Sequence, residues 1–412
     1  MALSHKDDML DTSACTSQDT ILSTLSELPS SSASAPNTPD IFYTPPGGWS
    51  DSDGDDGESI SRSFSVSDPS LPCSLLYSNT KAEIEASKVH WTPSAMDDAL
   101  ETEADRLEVF QSFRDKYGDF FMDYSDQFKM CEKIAEGGQA EIYVVESSKS
   151  KEASVVKLFK KGSSLRNLRL QWPEGMLQNL SSKNGGAYVN HYSSIIYGAL
   201  LLNGRFAFWM PRYWGDLRTL IDIKMQKNPI PNSSIFTETR LFHSMLEIAD
   251  GMRDLHKDGI IHRDLKASNV LIRSFESKFD PVIGYFFCKV SDYECSVGVV
   301  GTGFWRAPEI LSGLNNDDDH SNLCTKESDV YSYGMTCYEM LTGNIPFANS
   351  PRSDYDFVCQ GGRPELPKNI KPWLGRLLNR CWHQNPSKRP DFQRIIDYLC
   401  KHRKLDTHVQ QT

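Results

Sequence analysis

Apolar and polar positions divide the chain into stretches of different character. Residues 1–95 alternate Ser-, Pro- and acid-rich runs, such as Pro29–Asp40 (PSSSASAPNTPD) and Ser50–Glu58 (SDSDGDDGE), with few apolar side chains between them. So little apolar surface cannot offset the entropy of ordering, and a disordered tail is expected. Residues 96–128 are expected to be a linker. Within it, Leu100, Leu107, Phe110 and Phe113 stand at mostly helical spacings. That spacing fits a helix docked on the next domain and equally a marginal helix in a linker. From 129 to 402 the pattern is that of packed structure, with a short tail at 403–412.

The packed region opens with strands. Glu141–Glu146 (EIYVVE) and Ala153–Phe159 (ASVVKLF) are β-rich runs around a polar turn, and Ile195–Leu202 and Arg205–Met210 flank Asn203-Gly204, a hairpin signal. Beyond Gly215 the period changes. Leu241, Met245, Ile248, Met252 and Leu255 step by four, three, four and three, and Gly259 stands where a left-handed helix end belongs. Glu327–Leu341 and Lys388–Cys400 also predict helices. Strands followed by helices predict an α+β fold of two lobes, a small β-rich one and a larger helical one.

Charge sharpens this division. Of 44 basic and 55 acidic residues, 7 and 24 fall in residues 1–128, leaving 37 and 31 in 129–412, so net charges of −17 and +6 make up the total of −11. That balance does not point to a nucleic-acid partner. The apolar run Ile195–Leu202 is far shorter than the ~20 residues that span a bilayer, and the first residues, MALSHKDDML, are acidic where a signal peptide is apolar. No membrane partner is expected. Ten cysteines without a CxxC pair read as free thiols of a reducing compartment, hence a cytoplasmic protein, with the nucleus also open.

Candidate chemistry centres on Ile260–Ile272 (IIHRDLKASNVLI), where two apolar runs flank His262, Arg263, Asp264, Lys266 and Asn269. An acid and an amide five residues apart suit a proton acceptor beside a metal-binding oxygen. HRDLKxxN resembles the catalytic loop of protein kinases. Other motifs follow in that family's order: Lys157 in VVK, Asp292 in VSDYE, Gly301–Glu309 (GTGFWRAPE), Asp329 in SDVYSYG, and Cys381–Phe392 (CWHQNPSKRPDF), which is similar to the tyrosine-kinase-like branch, plant-type members included.

The resemblance covers about residues 129–402 and implies a protein kinase fold, ATP and Mg2+ as cofactors, and protein substrates carrying Ser or Thr hydroxyls. Asp264 would accept the hydroxyl proton and Lys266 would contact the transferring phosphate. Lys157 would neutralise the nucleotide phosphates. Glu174, the one acid between Lys157 and Asp216, would pair with Lys157. Asn269 and Asp292 would hold the metal. Ile134, Ala135, Glu136, Gly137, Gly138, Gln139, Ala140 and Ile142 would cover the nucleotide, with Met210 behind the adenine or in the plain core. Asp329 and Arg389 would brace the larger lobe, Arg389 pairing with Glu309, and His262 would be a packed loop residue.

The pattern is broken in places. Ala135 and Ala140 replace two phosphate-loop glycines, and Tyr293-Glu294 follow Asp292 where the family has Phe-Gly. These departures motivate an alternative, a pseudokinase scaffold that binds nucleotide or partners without efficient catalysis. An insertion is expected around Arg273–Phe286. Tyr293, Ser296 and Thr302 are candidate phosphate acceptors in a short activation segment, with Arg263 as a phosphate partner. The acidic N-terminus is expected to meet regulatory partners or to lie on the domain as an autoinhibitor.

Overall fold

The computed structural model describes residues 102–122, 128–137, 139–147, 152–160, 193–227, 235–274, 281–282, 284–293, 299–314, 323–348 and 355–409. The expected tail of residues 1–95 lies outside them, as do Gly138, Glu174, Glu294 and Ser296.

Helix α1 (Glu103–Tyr117) starts at a capping box, in which Thr102 Oγ1 accepts from the Asp105 N–H and the Asp105 carboxylate accepts from the Thr102 N–H. Its apolar face is Phe110, Phe113 and Tyr117, all buried, whereas Leu107 is 57% exposed. Phe110 and Phe113 pack on Phe121 with ring centroids 5.8 and 5.2 Å apart. Of the two readings of this segment, the docked helix is therefore the one realised.

Phe121 belongs to β1 (Phe121–Met122), one edge strand of a six-stranded sheet. The sheet continues with β2 (Phe128–Glu136), β3 (Ala140–Ser147), β4 (Ser154–Phe159), β5 (Gly198–Leu202) and β6 (Arg205–Pro211), in the order β1-β5-β6-β4-β3-β2. β1 runs parallel to β5, and the other pairs are antiparallel. Gly198 makes the β1–β5 approach possible: a Cβ there would lie 2.4 Å from Met122 Sδ. The β5–β6 hairpin turns at Asn203 and Gly204, both with positive φ (51° and 70°), as a two-residue primed turn requires. β5 begins at Gly198, not at Ile195. Ser193 is instead drawn into a bridge with Val290 of the larger lobe.

Strand alternation gives the sheet two faces. Val156, Leu158, Leu200, Ala207 and Trp209 form one, in a core with Met122, Phe128 and Val145. On the other, Lys157 lies over the Phe159 ring, which stacks on Phe206 and meets Phe208 edge-on.

After the short β7 (Gly215–Asp216) the chain turns helical, with α2 (Leu217–Lys227) and α3 (Glu238–Lys257). Leu241, Met245, Ile248, Met252 and Leu255 are all buried on α3, and Gly259 takes φ +79° just past its end. β8 (Val270–Ser274) and β9 (Phe286–Val290) form a second sheet with β7. The remaining helices are α4 (Pro308–Gly313), α5 (Lys326–Thr342), α6 (Tyr355–Cys359), α7 (Pro372–Cys381) and α8 (Phe392–Val409). A β-rich lobe thus precedes a larger helical lobe, as the periodicity predicts.

Two boundaries differ from expectation. α8 starts at Phe392, not Lys388, because Pro386–Lys388 closes a 3-10 turn and Asp391 then caps the helix by accepting from the Arg394 N–H. It also runs past residue 402, to Val409.

A buried ion pair ties α3 to β9. Arg240 meets Glu247 at 2.8 Å and donates to the Phe286 carbonyl, while Glu247 accepts from the Cys288 N–H at 2.7 Å. Beside it, burial and then the charge of Arg273 push the buried Lys289 ammonium down to about 8. Between about pH 8 and the ordinary lysine value Lys289 is therefore less protonated in the folded protein than in the unfolded chain, a contribution that raises stability with pH. Burial pushes the thiols of Cys288, Cys324, Cys337 and Cys381 up, and these four groups together lower stability over the same window. Lys289→Met should therefore steepen the fall of stability with pH in urea-unfolding curves taken at intervals over the window. An unchanged slope would mean that Lys289 makes no such contribution.

Candidate active site

The loop between α3 and β8 is held from below by one carboxylate. Asp329, on α5 and 1% exposed, accepts from the backbone N–H groups of His262 and Arg263, each at 2.8 Å, and lies 2.8 Å from His256 Nε2. Arg263 has φ +69°, a left-handed conformation costly for a non-glycine residue, and the Asp329 contact fixes it. His262 is fully buried with Nε2 2.8 Å from the Ser291 carbonyl, so it is a packed loop residue.

This loop turns Asp264 into a polar cluster. Lys266 Nζ donates to Asp264 Oδ2 at 2.8 Å and to Thr302 Oγ1 at 2.7 Å; the Thr302 hydroxyl donates to Asp264 Oδ1 at 2.7 Å. Asn269 Nδ2 reaches the Asp264 carbonyl at 2.7 Å and Oδ2 at 3.2 Å. With its nitrogen committed to Asp264, the amide oxygen of Asn269 is the atom left to coordinate a cation.

Asn269 is also tied to the next candidate. Its carbonyl accepts from the Ser291 N–H and from Ser291 Oγ, both at 3.0 Å, which seats the neighbouring Asp292. Asp292 has φ +64° and meets Lys157 Nζ at 2.9 Å, a contact that spans the two lobes. Desolvation opposes ionisation of Asp292, but the Lys157 ammonium outweighs it and holds the carboxyl below the usual range. A carboxylate and an amide oxygen are hard donors, the set that Mg2+ prefers. The residues present thus fit that ion.

The β2–β3 hairpin carries the residues expected to cover the nucleotide. Ala135 pairs with Ile142 and Glu136 with Glu141, and the Gly137 N–H donates to the Ala140 carbonyl at 2.8 Å. The turn is therefore zipped almost to its tip. The Gln139 carbonyl accepts from the Lys160 N–H, Ala140 is buried, and Ile134 is 42% exposed. Two glutamates face each other across the strands, each neutralised. Glu136 binds Lys133 and Lys160, which hold its carboxyl down at about 2, and Glu141 binds Arg205 at 2.6 Å. Met210 is buried opposite Val155, on the sheet face that carries Lys157.

Residues 128–399 match the family model for the protein tyrosine and serine/threonine kinase domain. The chain belongs to this kinase family. Relatives include a light-sensor protein kinase of Ceratodon purpureus, 35% identical over 206 residues (45% of this chain, 16% of that protein). A serine/threonine/tyrosine-protein kinase of Arabidopsis thaliana is 34% identical over 192 residues (46% and 45%), and a serine/threonine-protein kinase of the same plant is 36% identical over 171 residues (40% and 28%). The matches thus span less than half the length of each of these curated relatives. They agree with a kinase of the plant-like, tyrosine-kinase-like type.

Within this kinase domain the structure brings Asp264, Lys266 and Asn269 together and joins Lys157 to Asp292. Glu174 and Gly138 lie outside the described residues. Two suggested phosphate acceptors are corrected. Tyr293 is fully buried and Thr302 is 1% exposed, its hydroxyl engaged with Asp264. Neither presents a hydroxyl to another enzyme. Ser296 lies outside the described residues. Arg389 makes a two-pronged pair with Glu309, at 2.7 and 2.8 Å, as its motif predicts.

Sequence reasoning missed Glu339. This α5 residue is 0% exposed and accepts from the Ala267 N–H (3.1 Å), Trp305 Nε1 (2.8 Å) and Arg218 (3.2 Å). It joins the catalytic loop to the segment that carries Thr302. An acid amid the apolar run of α5 was the available signal.

Proposed function

We propose that this chain is an ATP- and Mg2+-dependent protein kinase that transfers phosphate to Ser and Thr hydroxyls of protein substrates. One observation carries the reading. The Asp264 carboxylate already accepts a threonine hydroxyl, that of Thr302, at 2.7 Å, with Lys266 beside both. A carboxylate so placed can take the proton of an incoming Ser or Thr hydroxyl as its oxygen attacks the γ-phosphorus of ATP and the bond to the β-phosphate oxygen breaks, releasing ADP. Lys266 supplies positive charge at that point. Lys157 would neutralise nucleotide phosphates from the sheet above, and Asp292 with the Asn269 amide oxygen would hold the metal. Bound Mg2+ supplies neutralisation of the phosphate charge that grows during transfer. Ala135 and Ala140 leave the hairpin formed.

The test is direct. Purified full-length chain, with γ-labelled ATP, Mg2+ and a mixture of protein substrates, should label Ser and Thr. Label confined to Tyr would overturn the specificity, and no label on any substrate would overturn the activity.

A further inference from the structure

Asp292 sits in a left-handed conformation that an aspartate adopts at a cost, so something must hold it there. Three contacts do. Lys157 holds the carboxylate, and Ser291 on the N-terminal side is bonded to the Asn269 carbonyl. On the C-terminal side stands Tyr293, 0% exposed, whose hydroxyl donates to the Ser194 carbonyl at 3.0 Å. Ser194 is itself anchored, its N–H donating to the Val290 carbonyl at 2.7 Å, and Ser193 bridges Val290. The hydrogen bonds of Tyr293 and Val290 to Ser194 therefore close a small ring whose bonding residues are buried, while the Asp292 side chain they flank is 53% exposed. A phenylalanine, the residue in the family pattern at this place, would fill the same space without making the bond.

We propose that the Tyr293 hydroxyl is a positioning group that keeps Asp292 turned toward Lys157, set to receive Mg2+ before nucleotide arrives. The metal part of this statement rests on the kinase reading; the lock itself does not. Tyr293→Phe removes one oxygen from a buried site and keeps the ring. Tyr333→Phe is the matched control, since Tyr333 is also 0% exposed and its hydroxyl donates to the Met245 carbonyl at 3.0 Å, away from Asp292.

Two measurements on the full chain decide the matter. The first is native-state hydrogen exchange without ligand, read on peptides covering 193–196 and 289–293. The second is calorimetric binding of ATP with and without Mg2+. Tyr293→Phe should speed exchange in both peptides about fivefold and cut the Mg2+-dependent gain in ATP affinity about fivefold, the worth of one buried hydrogen bond. Tyr333→Phe should lower Tm and leave both readouts unchanged. If Tyr293→Phe behaves like the control in either readout, the proposal is overturned. If wild type binds no ATP at all, the kinase reading falls, and the exchange comparison alone upholds or overturns the lock.

Discussion

Asp264→Asn should leave the protein folded and lower phosphate transfer by about 10²–10⁴-fold, the usual share of a positioned proton acceptor. The change is nearly isosteric. Its amide oxygen can accept from Lys266 and Asn269 while its nitrogen donates to Thr302 Oγ1, so the loop that Asp329 fixes has no reason to move. What is lost is the negative charge that takes the substrate proton and that pairs with Lys266 at 2.8 Å. Initial rates at saturating ATP, beside a thermal unfolding curve, check both halves. A rate equal to wild type would mean that any label measured does not come from this site, and would favour the scaffold alternative. Lost activity with a collapsed Tm would leave the role of the carboxylate undemonstrated; Asp264→Glu, which keeps the charge and shifts its place, would then decide.

The second large effect is expected at Glu339. Glu339→Ala should cost about 3–5 kcal/mol of stability, the range for removing one partner of a buried charged network. Three donors lose their acceptor: the Ala267 N–H, Trp305 Nε1 and the Arg218 guanidinium. Arg218 keeps Asp222 and the Gly343 carbonyl, so the stranded groups are chiefly the other two. Burial raises the Glu339 carboxyl, with Arg218 pulling the other way. Part of the wild-type cost is thus already present, and Glu339→Gln, which retains an acceptor oxygen, should lose less than the alanine variant. Urea unfolding of the three proteins gives the ranking. A loss below about 1 kcal/mol for the alanine variant would show that the network is not worth what its burial implies. Because Ala267 follows Lys266 and Trp305 lies three residues past Thr302, the glutamine variant should also lose kcat with little change in KM.

Much of this arrangement was legible in the residues. Periodicity is a local property, so the α3 face, its end at Gly259 and the Asn203-Gly204 hairpin could be read directly. The catalytic loop was legible because its polar residues interrupt two apolar runs. The partners that fix those residues were not. Thr302 stands in a motif that makes it a candidate phosphate acceptor, but nothing in the spelling of GTGFW says that its hydroxyl touches Asp264 across 38 residues of chain. Glu339 looked like one more residue of an apolar helix. Tyr293 read as a possible phosphate acceptor, when long-range packing makes it a buried donor to Ser194. Helix starts failed where a side-chain cap overrode composition, as Asp391 does for α8.

The strand Phe121–Met122 decides where the molecule can be cut. The family match begins at residue 128, yet one border of the small-lobe sheet is β1, seven residues earlier, with α1 lying against it. A fragment begun at the match would leave β5 as a bare edge, its N–H and C=O groups unanswered and the seat of Met122 open beside Gly198. Edges of that kind recruit other strands. A fragment that keeps both β1 and the helix packed on it therefore starts at Thr102, where the capping box closes the first helix.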